Sequence, residues 1–307
     1  MPSVWLNGHF LEEANASISV RDTGFLHAAG VFTTMRSYGG VVFRLARHLA
    51  RIRASCEGLF IPLQHGDETL IEAVAEILAR NSLTNARLRM TVTRGLARQD
   101  PLHGLHLEPT VLLTAAELEP YPADYYARGM TVIVIDEQKL NPYDLQAGHK
   151  TLNYFSRLAG LREANRRAAG EALWFNMHNY LQSGSVSNVF IVKGGAIVTP
   201  PTPTDLLDPA VAQGIPYPKS SALPGVTRQA VLECAMQLGI ETSRSAITIG
   251  DLLDADEVFL TNSIMGIMPV CRIERRAISN DKPGVVTCQL SASLDQIITT
   301  ETGRLGT

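Results

Sequence analysis

The sequence predicts a mixed α/β (α+β) protein built as two domains, and three observations carry that prediction. With 307 residues, 45% of them hydrophobic, the chain can fill two cores. Its apolar runs are short and joined by turn dipeptides, which gives hairpins instead of the regular strand–helix crossovers of a doubly wound sheet. A proline-containing break without period, over residues 117–126, separates two stretches of different composition. The expected division is a smaller α/β domain over 1–116, a linker over 117–126, and a larger domain over 127–307 that carries Lys150.

Taken in order, Val4-Trp5-Leu6 and His9-Phe10-Leu11 flank Asn7-Gly8, a dipeptide suited to a two-residue hairpin. Residues 16–20 continue as strand or loop, and small residues fill 21–30. Residues 31–36 read as a strand that Tyr38-Gly39-Gly40 turns back into Val41-Val42-Phe43. A helical period holds over 45–59, with Leu49 and Ile52 apolar, and residues 70–78 form a second amphipathic helix. Leu88, Met90 and Val92 alternate with Arg87, Arg89, Thr91 and Thr93, as in a half-buried strand ending at Arg94-Gly95. Residues 99–104 are expected as loop and 111–114 as strand.

Beyond the break, 130–135 is a β-branched run, 158–169 is helical with Arg162, Arg166 and Arg167 outward, and 171–175 is a strand. Residues 176–184 are polar and loop-like, and 188–192 and 196–198 form a hairpin about Gly194-Gly195. Six prolines mark 199–223 as a long surface loop. Pro224-Gly225-Val226 opens a helix running through Met236, and residues 258–260 and 264–270 are strand and turn. From Ser291 onward the chain reads as short, mixed and frayed.

Composition excludes several classes of function. Net charge is −3 and no basic block occurs, so nucleic acid is not an implied partner. Cys56, Cys234, Cys271 and Cys288 are scattered without metal-site spacing, so no metal is expected and a reducing compartment is. The first residues lack a basic segment followed by an apolar run, and no apolar stretch is long enough for a bilayer, so a soluble cytoplasmic protein with no membrane partner is expected. No Gly-x-Gly-x-x-Gly follows a strand, and neither a P-loop nor His-Glu-x-x-His is present.

Lys150 is the residue around which a chemistry can be built. Lysine is by default a solvated surface residue. This one follows a turn-like Asn141-Pro142-Tyr143-Asp144 segment and is flanked by His149, Asn153 and Tyr154, all able to hydrogen-bond. Such surroundings suit a Schiff-base lysine, whose amine works when its environment lowers its pKa. Three features can cradle a phosphate: Gly225-Val226-Thr227 at a predicted helix start, Thr261-Asn262-Ser263 after a strand, and the guanidinium of Arg51. An activated lysine with a phosphate cradle points to pyridoxal phosphate.

With those residues in place, the sequence resembles the fold-type IV pyridoxal-phosphate family, which holds branched-chain and D-amino-acid aminotransferases, (R)-amine transaminases and aminodeoxychorismate lyase. The matching marks are Gly30-Val31-Phe32, Arg47-His48-Leu49-Ala50-Arg51, Thr91-Val92-Thr93-Arg94-Gly95, Lys150-Thr151-Leu152-Asn153-Tyr154, Ser185-Val186-Ser187-Asn188-Val189-Phe190, Leu223-Pro224-Gly225-Val226-Thr227-Arg228 and Ile267-Met268-Pro269-Val270. The resemblance implies two α/β domains with the cofactor between them and a homodimer whose second chain helps line the pocket. It makes Lys150 the catalytic residue, bonded to the cofactor and moving the proton at the substrate Cα. It gives Arg51, the Val226 and Thr227 backbone and Ser263 the phosphate, sets Tyr154 near O3′, and adds Ser183, Ser187, Asn188 and Asn262 to the cofactor-binding set. His27, Thr33, Arg36, Arg94 and Met265 are the substrate-pocket candidates, with Arg36, Arg89 and Arg94 as possible partners of a substrate carboxylate.

Two departures stand out. The family places a glutamate just before the Gly-Ser-x-Ser-Asn run, where it keeps the pyridine nitrogen protonated. Here that position is Ser183, so the electron sink should be weaker unless Glu171, Gln182 or a water compensates. His27 stands where relatives more often have an aromatic residue, and it is expected to pack in that residue's place or to line the pocket. The reaction put first is transfer of an amino group between an amino acid or amine and a 2-oxo acid. The alternatives are aminodeoxychorismate lyase, which Thr33 and residues 261–270 favour, and a catalytically weakened pyridoxal-phosphate-binding homologue.

Overall fold

The computed structural model describes residues 1–100 and 104–303, which divide into two compact units. The first comprises Met1–Glu119, His149–Asn153 and Ile298–Thr307; the second comprises Pro120–Gly148 and Tyr154–Ile297. The division read from the sequence puts Lys150 in residues 127–307, whereas its short segment His149–Asn153 packs with the first unit. The reason is main-chain pairing with a strand of that unit, which no local pattern around the lysine reveals.

Unit 1 is an antiparallel sheet carrying helices. Strands β1 (Ser3–Leu6) and β2 (His9–Glu12) form the expected hairpin about Asn7-Gly8. Short helix α1 (Thr23–His27) follows, capped by Asp22, whose Oδ1 accepts from Gly24 N. The other Asp22 oxygen takes the hydroxyls of Thr93 and Thr110, so a buried carboxylate ties the helix to the sheet. Then come β3 (Gly30–Tyr38), β4 (Val41–Val42), α2 (Leu45–Gly58), α3 (Asp67–Arg80), β5 (Ala86–Asp100) and β6 (Gly104–Glu117). Strand order is β2-β1-β6-β5-β3-β4.

The alternation over residues 88–93 extends in both directions within β5. Gln99, Asp100 and Gly104, expected in a loop, lie in the long β5–β6 ladder, with Asp100 facing Gly104; the remainder of that expected loop lies outside the described residues. Main-chain pairing along the ladder overrides the turn-like composition there. Helices α2 and α3 bury Leu49, Ile52, Leu70, Val74 and Ile77 against Val31, Met35, Leu88, Met90 and Val92. Each such side chain contributes roughly 1.5–3 kcal/mol.

Unit 2 contains α4 (Ala123–Arg128), β7 (Met130–Leu140), α5 (Phe155–Arg166), β8 (Glu171–Asn176), β9 (Leu181–Gly184), β10 (Asn188–Lys193), β11 (Ala196–Thr199) and α6 (Pro209–Ala212). It continues with α7 (Val226–Gln237), β12 (Thr242–Arg244), α8 (Ile249–Leu253), β13 (Glu257–Asn262), β14 (Gly266–Ile273), β15 (Arg276–Ala277) and α9 (Val285–Thr302), of which the residues from Ile298 count with unit 1. The sheet is mixed, in the order β12-β11-β10-β13-β14-β7-β8-β9 with β15 beside β14. The β7–β8, β7–β14 and β11–β12 pairs are parallel. Met130, Val132, Leu173, Val189, Ile191, Val258, Leu260 and Met268 build its core. Among the described residues no helix is long and apolar enough to cross a membrane.

Three expectations fail here. The loop-like 176–184 stretch ends in β9, where Leu181, Gln182, Ser183 and Gly184 are all buried. Its polar side chains hid the strand because they are satisfied by internal hydrogen bonds instead of by water. The proline-rich 199–223 stretch is no simple surface loop, since Thr202, Tyr217, Ser220 and Ala222 are buried. Arg228 pins it from α7 by donating to Asp205 Oδ2 at 2.7 Å and to Pro200 O at 3.2 Å. The stretch from Ser291, read as short and mixed with a frayed end, instead enters α9, an 18-residue helix that buries Leu290, Leu294 and Ile298 at a four-residue spacing, while residues 304–307 lie outside the described residues. Glu257 supplies its cap from outside the helix, accepting from Val286 N and from the Thr287 N and hydroxyl.

The β5–β6 register shifts between Thr93 and Leu96. Gly95 sits in that bulge at φ +70°, and a Cβ there would lie 1.7 Å from Glu108 O. Gly95→Ala is therefore expected to cost about 2 kcal/mol or more, seen as a lower urea midpoint than that of the unchanged chain.

Candidate active site

In unit 1 the lysine is presented from a strand edge. Phe32 N donates to Lys150 O at 2.8 Å, Leu152 N donates to Gly30 O at 2.9 Å, and Val31 faces Thr151 as an antiparallel bridge. Gly30 makes the approach possible: a Cβ there would lie 2.7 Å from Leu152 Cδ1 and 2.8 Å from Val92 O. Pairing on both sides fixes the Lys150 backbone, so only its side-chain torsions remain to be ordered. Its half-buried ammonium stands 4.5 Å from the centroid of the Phe32 ring, and the Arg89 guanidinium stands 3.7 Å from the same centroid.

Helical spacing brings His48, Arg51, Ile52 and Ser55 toward the same region, because positions three, four and seven apart share a face. Arg51 Nη2 donates to Thr33 Oγ1 at 2.9 Å, and Thr33 Oγ1 lies 2.9 Å from His48 Nδ1. A guanidinium only donates. The set is satisfied when Thr33 gives its own proton to Nδ1, which leaves His48 neutral and protonated at Nε2. Burial, and after it the charges of Arg51 and Lys150, hold the His48 pKa well below its ordinary value. Burial also lowers His149, whose Nδ1 lies 3.1 Å from Ser55 Oγ.

Of the expected substrate-pocket residues, His27, Thr33, Arg36 and Arg94 belong to unit 1 and Met265 to unit 2. Thr33 is buried in the set just described, and Arg36 lies over the Tyr38 ring at 4.4 Å. Arg94 Nε is buried without a hydrogen-bond partner, as suits a guanidinium edge kept for a ligand carboxylate. His27 does not pack in place of an aromatic side chain: it is the exposed last residue of the five-residue α1. Met265 belongs to the core of unit 2, and its carbonyl accepts from Tyr126 OH at 3.0 Å.

The remaining expected cofactor residues lie in unit 2. Tyr154 OH donates to Ser185 O at 2.9 Å, and Trp174 Nε1 donates to Ser185 Oγ at 2.8 Å. Glu171, 1% exposed, accepts from Ala172 N, Ser185 N, Val186 N and Ser187 Oγ at 2.9–3.1 Å. Burial pushes its carboxyl up, and these hydrogen bonds oppose the rise. Asn188 Nδ2 donates to Leu223 O at 2.8 Å, and a Cβ on Gly225 would lie 2.0 Å from Asn188 Oδ1. Gly225 begins α7 without a side-chain cap, and Val226 and Thr227 in its first turn are buried. Asn262 Oδ1 accepts from Ile264 N and Met265 N, both at 2.8 Å, and its Nδ2 donates to Val186 O at 3.2 Å. Next to it, Thr261 Oγ1 is buried without a partner. These groups bring residues 183–188, 225–227 and 261–263 into one connected polar region of unit 2.

Two residues of these sets were not singled out by sequence reasoning. His48 was noticed only as part of a motif, since a histidine on a helix face carries no signal of burial. Arg157 donates from Nη1 to Ser183 Oγ and to Gly184 O, both at 3.2 Å. Its spacing of three from Tyr154 along α5 was the available sign.

Unit 1 holds a backbone-fixed lysine, whose amine suits covalent chemistry, and unit 2 by itself holds a polar, glycine-crowded helix start, which suits an anion. The family model described as amino-transferase class IV matches residues 30–273, and the chain belongs to that family, the fold-type IV pyridoxal-phosphate enzymes. A Methanocaldococcus jannaschii protein, provisionally named as a branched-chain-amino-acid aminotransferase, is 33% identical over 96% of each chain. An aminodeoxychorismate lyase from Bacillus subtilis is 28% identical over 88% of this chain and 86% of its own. The solved branched-chain amino acid aminotransferase of Escherichia coli superposes with a TM-score of 0.86 at 26% identity, over 98% of this chain and 96% of that one. The family activity is pyridoxal-phosphate-dependent aminotransferase or lyase chemistry.

The environment of His48 sets a pH dependence. Its folded pKa is depressed, so below about 6.5 the unfolded chain takes up a proton that the folded chain refuses. Stability is then lost as pH falls below that value, by up to about 1.4 kcal/mol per pH unit for one group. His48→Asn should show a shallower loss in urea titrations between pH 7 and 5, and the difference isolates His48 from the also-lowered His65 and His149.

Proposed function

We propose that this protein is a pyridoxal-phosphate-dependent aminotransferase that moves an amino group between an amino acid or amine and a 2-oxo acid, with Lys150 as the catalytic residue. The observation that carries the reading is the main-chain pairing of the Lys150 segment with β3, in a part of unit 1 where the charges of Arg51 and Lys150 both act on buried His48. The donor set fits the cofactor. The uncapped start of α7, the orphaned Thr261 hydroxyl and the crowding of Asn188 on Gly225 together suit a phosphate brought close to main-chain N–H groups. In unit 2, Val226, Thr227 and Ser263 would hold that phosphate, with Tyr154, Ser183, Ser187, Asn188 and Asn262 around the rest of the group; in unit 1, Arg51 is a further phosphate candidate.

Pyridoxal phosphate bound there would supply a conjugated ring that withdraws electrons from the substrate Cα–H bond. Lys150 Nζ would take that proton, and its torsional freedom on a fixed backbone lets one amine collect and return it. Arg94, with Nε lacking a protein partner, would orient the substrate carboxylate. A second copy of the chain would cover apolar side chains such as Phe155 and Leu158, which are 82% and 56% exposed on α5. Thr33 and the Bacillus subtilis relative favour a second reading, elimination of pyruvate from aminodeoxychorismate.

Purified protein given pyridoxal phosphate is expected to take on a yellow absorption band that borohydride bleaches, with the cofactor fixed to the Lys150 peptide by mass spectrometry; Lys150→Ala should lack the adduct. Branched-chain amino acids, D-amino acids or (R)-amines should convert the bound cofactor to pyridoxamine phosphate in a single turnover. An unchanged spectrum with the whole donor panel, together with pyruvate release from aminodeoxychorismate, would replace the transaminase by the lyase. Sedimentation should show a dimer at micromolar concentration.

A further inference from the structure

Arg157 is the third residue of α5, half-buried, with its guanidinium Cζ 4.9 Å from the Trp174 ring centroid. A cation in the first turn of a helix opposes the helix dipole, and burial adds a desolvation cost. Burial lowers its pKa, while Tyr154 and Glu171 raise it, and a guanidinium starts so high that it stays charged. Two unfavourable placements of one charge indicate a use for it. Its Nη1 donates to Ser183 Oγ and to Gly184 O.

Ser183 occupies the position where relatives are expected to hold a carboxylate against the cofactor ring nitrogen, and the two neighbouring groups that might substitute are already committed. Glu171 Oε1 accepts from Ala172 N and Ser185 N, while Oε2 accepts from Val186 N and Ser187 Oγ. A carboxylate offers about four lone-pair positions, and these are taken. Gln182 Oε1 accepts from Ser220 Oγ, Ser221 N and Ser221 Oγ, and Nε2 donates to Leu181 O and Tyr217 OH. That leaves the Ser183 hydroxyl, which accepts from Arg157 and retains its own proton to give.

On the pyridoxal-phosphate reading, from which this follows, we propose that Arg157, acting through Ser183, holds the cofactor's ring nitrogen neutral. Arg157 Nη1 donates to Ser183 Oγ, and Ser183 donates its proton to the nitrogen lone pair. Ser183 Oγ keeps a second lone pair that could accept from a protonated nitrogen, but that nitrogen would then share the hydroxyl with a guanidinium of like charge, which favours its neutral form. Arg157 is thus a positioning residue that sets how strongly the ring draws electrons. A neutral ring draws them less strongly, so removal of the substrate Cα proton by Lys150 is slower than with a carboxylate at position 183.

The test is a ring-¹⁵N spectrum of the whole protein reconstituted with ¹⁵N-pyridoxal 5′-phosphate, recorded from pH 5 to 9. The wild-type nitrogen is expected in the neutral-pyridine range at pH 7. Arg157→Gln, which keeps amide donors and removes the charge, should raise the nitrogen's titration midpoint by about one pH unit or more. Arg157→Lys should restore the wild-type midpoint. If Arg157→Gln does not fold, the wild-type and Arg157→Lys spectra still decide. A wild-type nitrogen already protonated at pH 7, or equal midpoints in wild type and Arg157→Gln, overturns the proposal and leaves cofactor binding intact. Absence of any lysine-bound pyridoxal phosphate overturns both.

Discussion

The pairing of the Lys150 segment with β3 is the constraint on which the candidate chemistry depends. Two main-chain hydrogen bonds and the isolated Val31–Thr151 bridge tie the short segment His149–Asn153 to β3 in unit 1. They can do so because Gly30 has no side chain to collide with Leu152 and Val92. The consequence is energetic as much as geometric. A lysine on a free loop would have to order its backbone at roughly 1–2 kcal/mol per residue before its amine could be placed. Here that ordering has already occurred in folding, and the flexible four-carbon stem retains the reach that a proton carrier needs.

Around that lysine, unit 1 keeps its polar groups in a chain of defined donors and acceptors. Arg51 gives to Thr33, Thr33 stands against His48, and burial keeps His48 neutral. A threonine at position 33 serves this set as an acceptor and a donor together, whereas a carboxylate there would accept only. Thr33, on which the lyase reading partly rests, is therefore integral to how Arg51 is held.

Unit 2 follows the same rule with a different result. Glu171 uses its acceptor capacity on the turn from Ser185 to Ser187, and Gln182 accepts from Ser220 and Ser221 and donates to Tyr217. Buried polar groups satisfied in this way define the shape of a site and have little capacity left for a ligand. Among the described residues, groups with capacity left include the Ser183 proton, the Thr261 hydroxyl, Asn176 Nδ2 and the uncapped first turn of α7.

The sequence by itself determined the local pieces of this protein. The Asn7-Gly8 hairpin, the alternation across β5, the helical period of α2 and the Gly225-Val226-Thr227 helix start are properties of neighbouring residues, and so is the lysine motif. Tertiary structure decided what depends on partners distant in the chain. β9 looks like a polar loop because its side chains bond to residues 26 to 39 positions away. α9 looks unstructured because its serines and threonines are indifferent helix formers, yet burial of Leu290, Leu294 and Ile298 and a cap from Glu257 outweigh that preference. Lys150 reads as part of the second half of the chain but takes its backbone partners from Gly30 and Phe32. Arg157 looks like one more helix-surface charge, and only the fold turns it inward to Ser183. Propensity and periodicity act over a few residues, whereas hydrogen-bond satisfaction in a buried site is settled by whichever groups the completed fold brings within reach.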